Sequence, residues 1–175
     1  QGKNKVNELK TFPVPFALGE IKENISIATH PPTKPSKEEI INQAFKFHSQ
    51  GNIPAATKYY QFFINQGFRD HRVFSNYGII LQDLGNLQEA ELLTRKAIEI
   101  KPDFAVAYSN LGNILRDLGN LQEAENSYQK AIELNPDFAE AHSNLGIILS
   151  DLGKLQDAEL SYRKAIELNP DFAEA

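Results

Sequence analysis

The chain has 175 residues, 18 basic and 23 acidic side chains, a net charge of −5 and no cysteine. The lack of cysteine excludes a disulfide framework and a thiolate metal site, and the acidity offers no footing for a nucleic-acid backbone. No run of about 18 apolar residues is present, so neither a membrane span nor a membrane partner is expected.

Residues 1–36 come first and repeat nothing that follows. They carry five Lys against three acidic residues, whereas 37–175 carries 13 basic and 20 acidic. Proline around Phe12–Phe16 and His30–Pro32 favours extended backbone. Ile25 and Ile27, with polar neighbours between, could make a short strand. Two readings stand open: a linker, or an arm whose Phe12–Ile27 stretch docks on the rest of the chain. Asn24-Ile25-Ser26 is a glycosylation sequon, discounted because no export signal precedes it. The chain starts at Gln1 and holds no methionine, so a processed or trimmed product is expected. A cytoplasmic location is expected too.

From residue 37 the chain repeats with a period of 34. Residues 105–138 and 139–172 match at 26 of 34 positions without a gap, and 71–104 matches 105–138 at 21. Residues 37–70 keep the outline through Asn42, Ala44, Gly51-Asn52 and Ala56. Each unit reads as two helices. In 105–138, Leu111, Leu115 and Leu118 mark one helical face, and Gly119 ends it. Asn120 with Glu123 predicts a capping box for the second helix, whose stripe is Ala124, Tyr128, Ala131 and Ile132. Pro136 stops that helix. Asp137 with Glu140 predicts the next cap pair, and Ser36 with Glu39 predicts the first one. Pro54 sits early in its helix, where a missing N–H costs little.

These units resemble the tetratricopeptide repeat (TPR), whose pattern is W-x2-L-G-x2-Y, then A-x3-F, then P. The matching places hold Phe74, Tyr77, Gly78, Leu81, Ala90, Thr94 and Pro102 in the second unit. The third has Tyr108, Leu111, Gly112, Leu115, Ala124, Tyr128 and Pro136, and the fourth His142, Leu145, Gly146, Leu149, Ala158, Tyr162 and Pro170. The first unit departs, with Phe63 for the alanine and Phe68 for the proline, and reads as an adapted terminal repeat. The resemblance implies an all-α superhelix of four helical hairpins after a non-repetitive extension: residues 1–36, then 37–70, 71–104, 105–138 and 139–172. Residues 173–175 read as the start of a further unit. An apolar edge is therefore expected around Leu155, Tyr162 and Ile166, with a homodimer possible through that end or through the N-terminal extension.

Nothing in the chain assembles a nucleophile, a base and an anion hole. P-loop, G-x-S-x-G and dinucleotide fingerprints are absent. His30, His48, His71 and His142 lack metal-ligand spacing, so no metal, no cofactor and no catalysis are expected. His142 is read as a packing residue and His48 as a solvated groove residue. Acidic pairs such as Glu123/Glu125 read as solvated faces and caps.

The informative pattern is a ladder. Asn42, Asn76, Asn110 and Asn144 are each the sixth residue of a unit. An Asn amide carries both donor and acceptor, so it can pair with an extended peptide backbone. The ladder is similar to the asparagine ladder in the repeats of O-linked N-acetylglucosamine transferases. That likeness implies a concave face built from the second, fifth, sixth, ninth, twelfth and thirteenth places of each first helix. These places add Asn113, Arg116, Asp83, Asp117 and Asp151 to the candidate peptide site. The Asp row makes one rim acidic and favours a peptide with scattered Lys or Arg. Ser and Asn stand where a carboxylate clamp would need cations. The leading reading is a protein-interaction module that holds an extended peptide in its groove. The alternatives are the substrate-targeting region of a larger glycosyl- or sulfotransferase and a self-assembling scaffold.

Overall fold

In the computed structural model, residues 35–173 are described, and the arm and strand expected between Phe12 and Ile27 lie outside them. Eight helices follow one another: α1 (Lys37–Ser49), α2 (Ile53–Asn65), α3 (His71–Asp83), α4 (Leu87–Ile100), α5 (Ala105–Asp117), α6 (Leu121–Leu134), α7 (Ala139–Asp151) and α8 (Leu155–Leu168). A short 3-10 turn, Pro170–Ala173, closes the described segment. No strand occurs among the described residues. The all-α superhelix expected from the repeats is the fold observed.

The corner inside each hairpin is set by glycine. Gly119 has φ +79°, a conformation that side chains strain against. It lets the Asn120 N–H reach back to the Leu115 carbonyl at 2.8 Å, which closes the end of α5. The capping box expected of Asn120 and Glu123 does not form: Asn120 makes no side-chain cap bond. Glu123 is drawn to Arg95 instead, at 3.0 Å. Lys154 holds the same backbone at the head of α8, so no capping side chain is needed there. The Asp137–Glu140 pair also fails, because Phe138 occupies the cap and Asp137 falls one residue early. The Ser36–Glu39 box is present in both directions, at 3.2 and 2.7 Å.

Close packing within hairpins needs the small residues. A Cβ on Gly112 would lie 2.6 Å from the Tyr128 ring, and one on Gly146 2.7 Å from Tyr162. Ala56, Ala90, Ala124 and Ala158 are buried where the partner helix crosses. In the first hairpin the two departures pack on each other, with the Phe63 and Phe68 rings 5.4 Å apart.

Successive hairpins touch mainly where the second helix of one packs on the first helix of the next, α2 on α3, α4 on α5 and α6 on α7; α3 also meets α5 and α5 meets α7, whereas α2, α4 and α6 do not approach one another as closely. The first helices are therefore the closer-spaced row and form the inner face. Two apolar clusters result, one running from α1 to α5, where Ala107 and Ile114 belong to it, and one around α5–α8, and Ile98 packs against both.

Candidate functional site

The inner face is built from polar places that recur every 34 residues. Asn42 is exposed on α1, and Asn76, Asn110 and Asn144 are partly exposed on α3, α5 and α7. The last two are fastened to the repeat before them. Asn110 donates its Nδ2–H to Ser75 Oγ at 3.0 Å, and Asn144 donates to Asn113 Oδ1 at 3.2 Å. Asn76 lies beside the Tyr60 hydroxyl, whose pKa burial raises to about 12 while the Asn76 amide pulls it the other way. An isolated amide would fluctuate. These are held from behind, with their Oδ1 atoms unbonded in Asn110 and Asn144 among the described residues.

The two ties differ, and the difference comes from Asn113. Thirty-five residues separate Asn110 from Ser75; the equivalent partner of Asn144 is Ser109. Asn144 turns instead to Asn113, which stands where the second and fourth units carry Ile79 and Ile147. Asn113 Oδ1 also accepts from the Tyr128 hydroxyl at 2.7 Å. Ser109, 2% exposed, has no partner for its hydroxyl among the described residues. Such a buried group costs about 1–3 kcal/mol, so the Tyr128–Asn113–Asn144 chain is held against a measurable penalty. Thr94 also lacks a partner among the described residues: it stands in the place of Tyr60, Tyr128 and Tyr162 but is too short to reach the inner face.

The cations of the inner face are already neutralised. Arg72 grips Asp70 with two bonds of 2.9–3.0 Å, and its guanidinium lies 5.5 Å from the centre of the Phe45 ring. Arg116 sits 3.3 Å from Asp117, which also accepts from Gln82 at 2.6 Å. Asp83 and Asp151 are exposed and make no ion pair among the described residues. The rim thus stays acidic. His48 is not simply solvated: its Nδ1 lies 3.0 Å from the Tyr60 hydroxyl, and burial lowers its pKa while Asp83 opposes that. His142 Nε2 lies 3.0 Å from the Pro136 carbonyl.

Sequence reasoning missed what Tyr60, Tyr128 and Ser75 do for the amides and that the Ser109 hydroxyl stays unpartnered among the described residues. The available signal was the tyrosine recurring at place 24 of three units, together with a lone amide at place nine of the third. Glu125 also departs from expectation. It is buried rather than solvated, and Lys154 covers it. On α8, Leu155, Leu160 and Ile166 are 67%, 64% and 39% exposed, whereas Tyr162, expected on the same edge, is half-buried against the apolar cluster of α5–α8. Among the described residues, no group of three His, Asp or Glu could hold a metal, and no helix is long and apolar enough to cross a membrane.

Four family matches tile this region: tetratricopeptide repeats at 71–104, 93–126 and 139–172, and a TPR repeat at 112–153. A comparison with curated protein sequences found no match. Among solved structures, the chain is similar to MamA, with 21% identity, TM-score 0.72, and coverage of 80% of this chain and 82% of that one. It is similar to YrrB, described as a TPR protein with an unusual peptide-binding site, with 20% identity, TM-score 0.69 and coverage of 78% and 70%. It is also similar to an O-GlcNAc transferase mutant of Thermobaculum terrenum, with 26% identity and TM-score 0.61. That match covers 65% of this chain and 22% of the transferase. With the 34-residue hairpins, their glycine corners and these matches together, the chain belongs to the tetratricopeptide repeat family.

Proposed function

We propose that this chain is a protein-interaction module, not an enzyme, that holds an extended peptide along its inner face. One observation carries the reading: Asn110 and Asn144 are anchored from behind by Ser75 and Asn113 yet keep Oδ1 unbonded among the described residues. Amides held at one place on successive helices suit the repeating N–H and C=O of a backbone. The acidic rim of Asp83 and Asp151 suits a peptide carrying Lys or Arg. YrrB, of like fold, supports the class of ligand.

The test is a displayed peptide library selected on the full chain. Selected peptides lose binding to a variant with Asn76→Ala, Asn110→Ala and Asn144→Ala whose melting is checked beside it. Equal binding to that variant overturns the reading.

The transferase likeness favours a second reading, in which the same groove presents protein substrates to a catalytic domain. Its test is whether selected peptides become substrates when this chain is fused to such a domain. Self-assembly through Leu155, Leu160 and Ile166 would instead appear as concentration-dependent light scattering.

A further inference from the structure

The junction of the first two hairpins is looser than the two that follow. α2 approaches α3 less closely than α4 approaches α5 or α6 approaches α7. Phe63 gives the physical reason. It is fully buried at the place where the other hairpins carry Ala97, Ala131 and Ala165, and a ring there holds the helices apart where a methyl would not. Two cavities of about 300 and 260 Å³ lie between α2 and α4, on the side away from the inner face, and both border Ile64. Phe68, Phe74, Leu93 and Ile100 complete their apolar lining. At the next junction Arg95 reaches Glu123 at 3.0 Å and straps the matching crevice. Gln61 and Glu89 hold those two places here and form no strap: Gln61 donates to the Tyr77 hydroxyl instead, at 2.9 Å.

The two ends of this groove differ in charge. Lys130 and Lys164 pair with Glu133 and Glu167 on their own helices, at 2.8 and 2.9 Å. Lys96 holds the same place on α4, but its Glu99 is taken by Arg69, 3.0 Å away. Arg69 itself stands where the other hairpins carry Asp103, Asp137 and Asp171. Lys96 is therefore exposed and unpaired among the described residues, and two cations face one carboxylate at the rim of the larger cavity. Glu89, also exposed and unpaired among the described residues, rims the other cavity. It lies seven residues back along α4, a separation of about 10 Å.

We propose that the groove between α2 and α4 is a second interaction surface, separate from the inner face, and that it seats an amphipathic helix of a partner protein. Two large apolar side chains four residues apart on that helix enter the two cavities, one each. A carboxylate of the helix meets Lys96 and Arg69, and a lysine or arginine meets Glu89. Acidic residues favour the start of a helix and basic residues its end, so the seated helix runs opposite to α4. The charges select the partner and fix its direction, while the apolar lining supplies area without preference. The Arg69–Glu99 pair across the mouth is exposed on both sides, so it yields to an incoming carboxylate at little cost.

The probe is a stapled helical peptide of about four turns, with Glu in its first turn, two leucines four residues apart in the middle and Lys in its last turn. Its companion carries the same staple with Glu and Lys exchanged. Each is titrated to millimolar concentration into the full ¹⁵N-labelled chain. The expected result is a saturable shift of the Ile64, Leu93 and Lys96 backbone signals with the first peptide, and binding about tenfold weaker with the second. Lys96→Glu changes an exposed side chain with no bond to lose, and it reverses the preference between the two peptides. Arg69→Asp restores the acid of the other hairpins, returns Glu99 to Lys96 and weakens the first peptide about tenfold. Melting of both variants is checked beside the unsubstituted chain. The proposal is overturned if neither peptide binds, or if both bind equally well to the unsubstituted chain and to K96E. It is also overturned if the shifts fall on Asn110 and Asn144 alone, which leaves the inner-face reading standing. A second copy as the occupant overturns it too, and would show as light scattering that rises with concentration and drops in K96E.

Discussion

Lys154 reaches back 29 residues and places its ammonium on both oxygens of Glu125, at 2.7 and 2.8 Å. It stands where the two preceding hairpins carry Asn86 and Asn120. Glu125 is 5% exposed and also accepts from Gln122 at 2.8 Å and Gln129 at 3.3 Å. Removing one partner of a buried pair costs more than the pair itself is worth. Lys154→Asn restores the repeat consensus yet is expected to destabilise by about 1–3 kcal/mol, because the two glutamines remain but the charge goes uncompensated. Urea unfolding checks it. Glu125→Gln, which removes the charge as well, should cost less.

Gly112→Ala tests the close approach of α5 and α6. Alanine favours a helix by about 1 kcal/mol over glycine. Against that, the new methyl would sit 2.6 Å from the ring of Tyr128. That ring is fully buried, and its hydroxyl is tied to Asn113, so it cannot swing aside. Overpacking of about 1–3 kcal/mol is expected to win, seen as a lower Tm.

Two serines at the same place should respond in opposite directions. Ser109→Ala removes a buried hydroxyl that has no partner and gains helix propensity, so stability is expected to rise by about 0.5–1 kcal/mol. Ser75→Ala deprives Asn110 of its acceptor and should lower stability by about 0.5–1 kcal/mol. Paired urea melts decide the sign.

Much of this was open to reading in the bare chain. Gly85, Gly119 and Gly153 mark corners by a backbone conformation that needs no tertiary context. Ala124 and Tyr128 fall on one stripe whatever the neighbours do. The Asn120 cap and the Asp137–Glu140 box were misread, because local patterns assumed side chains that Arg95 and a one-residue offset at Phe138 took elsewhere. The ties of Asn110 and Asn144 depend on the register between helices 31–35 residues apart. No window of sequence contains that register.

The groups behind the inner face give a pH signature. Burial raises Tyr60 to about 12 and Tyr128 further, from an ordinary value of 10.0. Both fold neutral and ionise more readily when unfolded, so their contribution is complete below pH 10 and is lost as pH climbs towards 12 and beyond. His48 runs the other way: burial holds it below 6.5, against the pull of Asp83. The unfolded chain then binds the proton more readily, and this contribution fades as pH falls below about 6.5. Tyrosine absorbance against pH should show a step well above 10, and the His48 ring signal in NMR should titrate below 6.5. A midpoint at or above 6.5 would show that the pull of Asp83 outweighs burial at His48.

The two apolar clusters adjoin along α5, with Ile98 packed against each, and neither runs the length of the stack. Tension along the superhelix axis would therefore be carried in series, and the chain should yield one hairpin after another rather than all at once. Length then becomes a free variable for evolution. Copying 34 residues adds one more inner helix, one more amide and one more stretch of peptide held, with no existing contact to redesign.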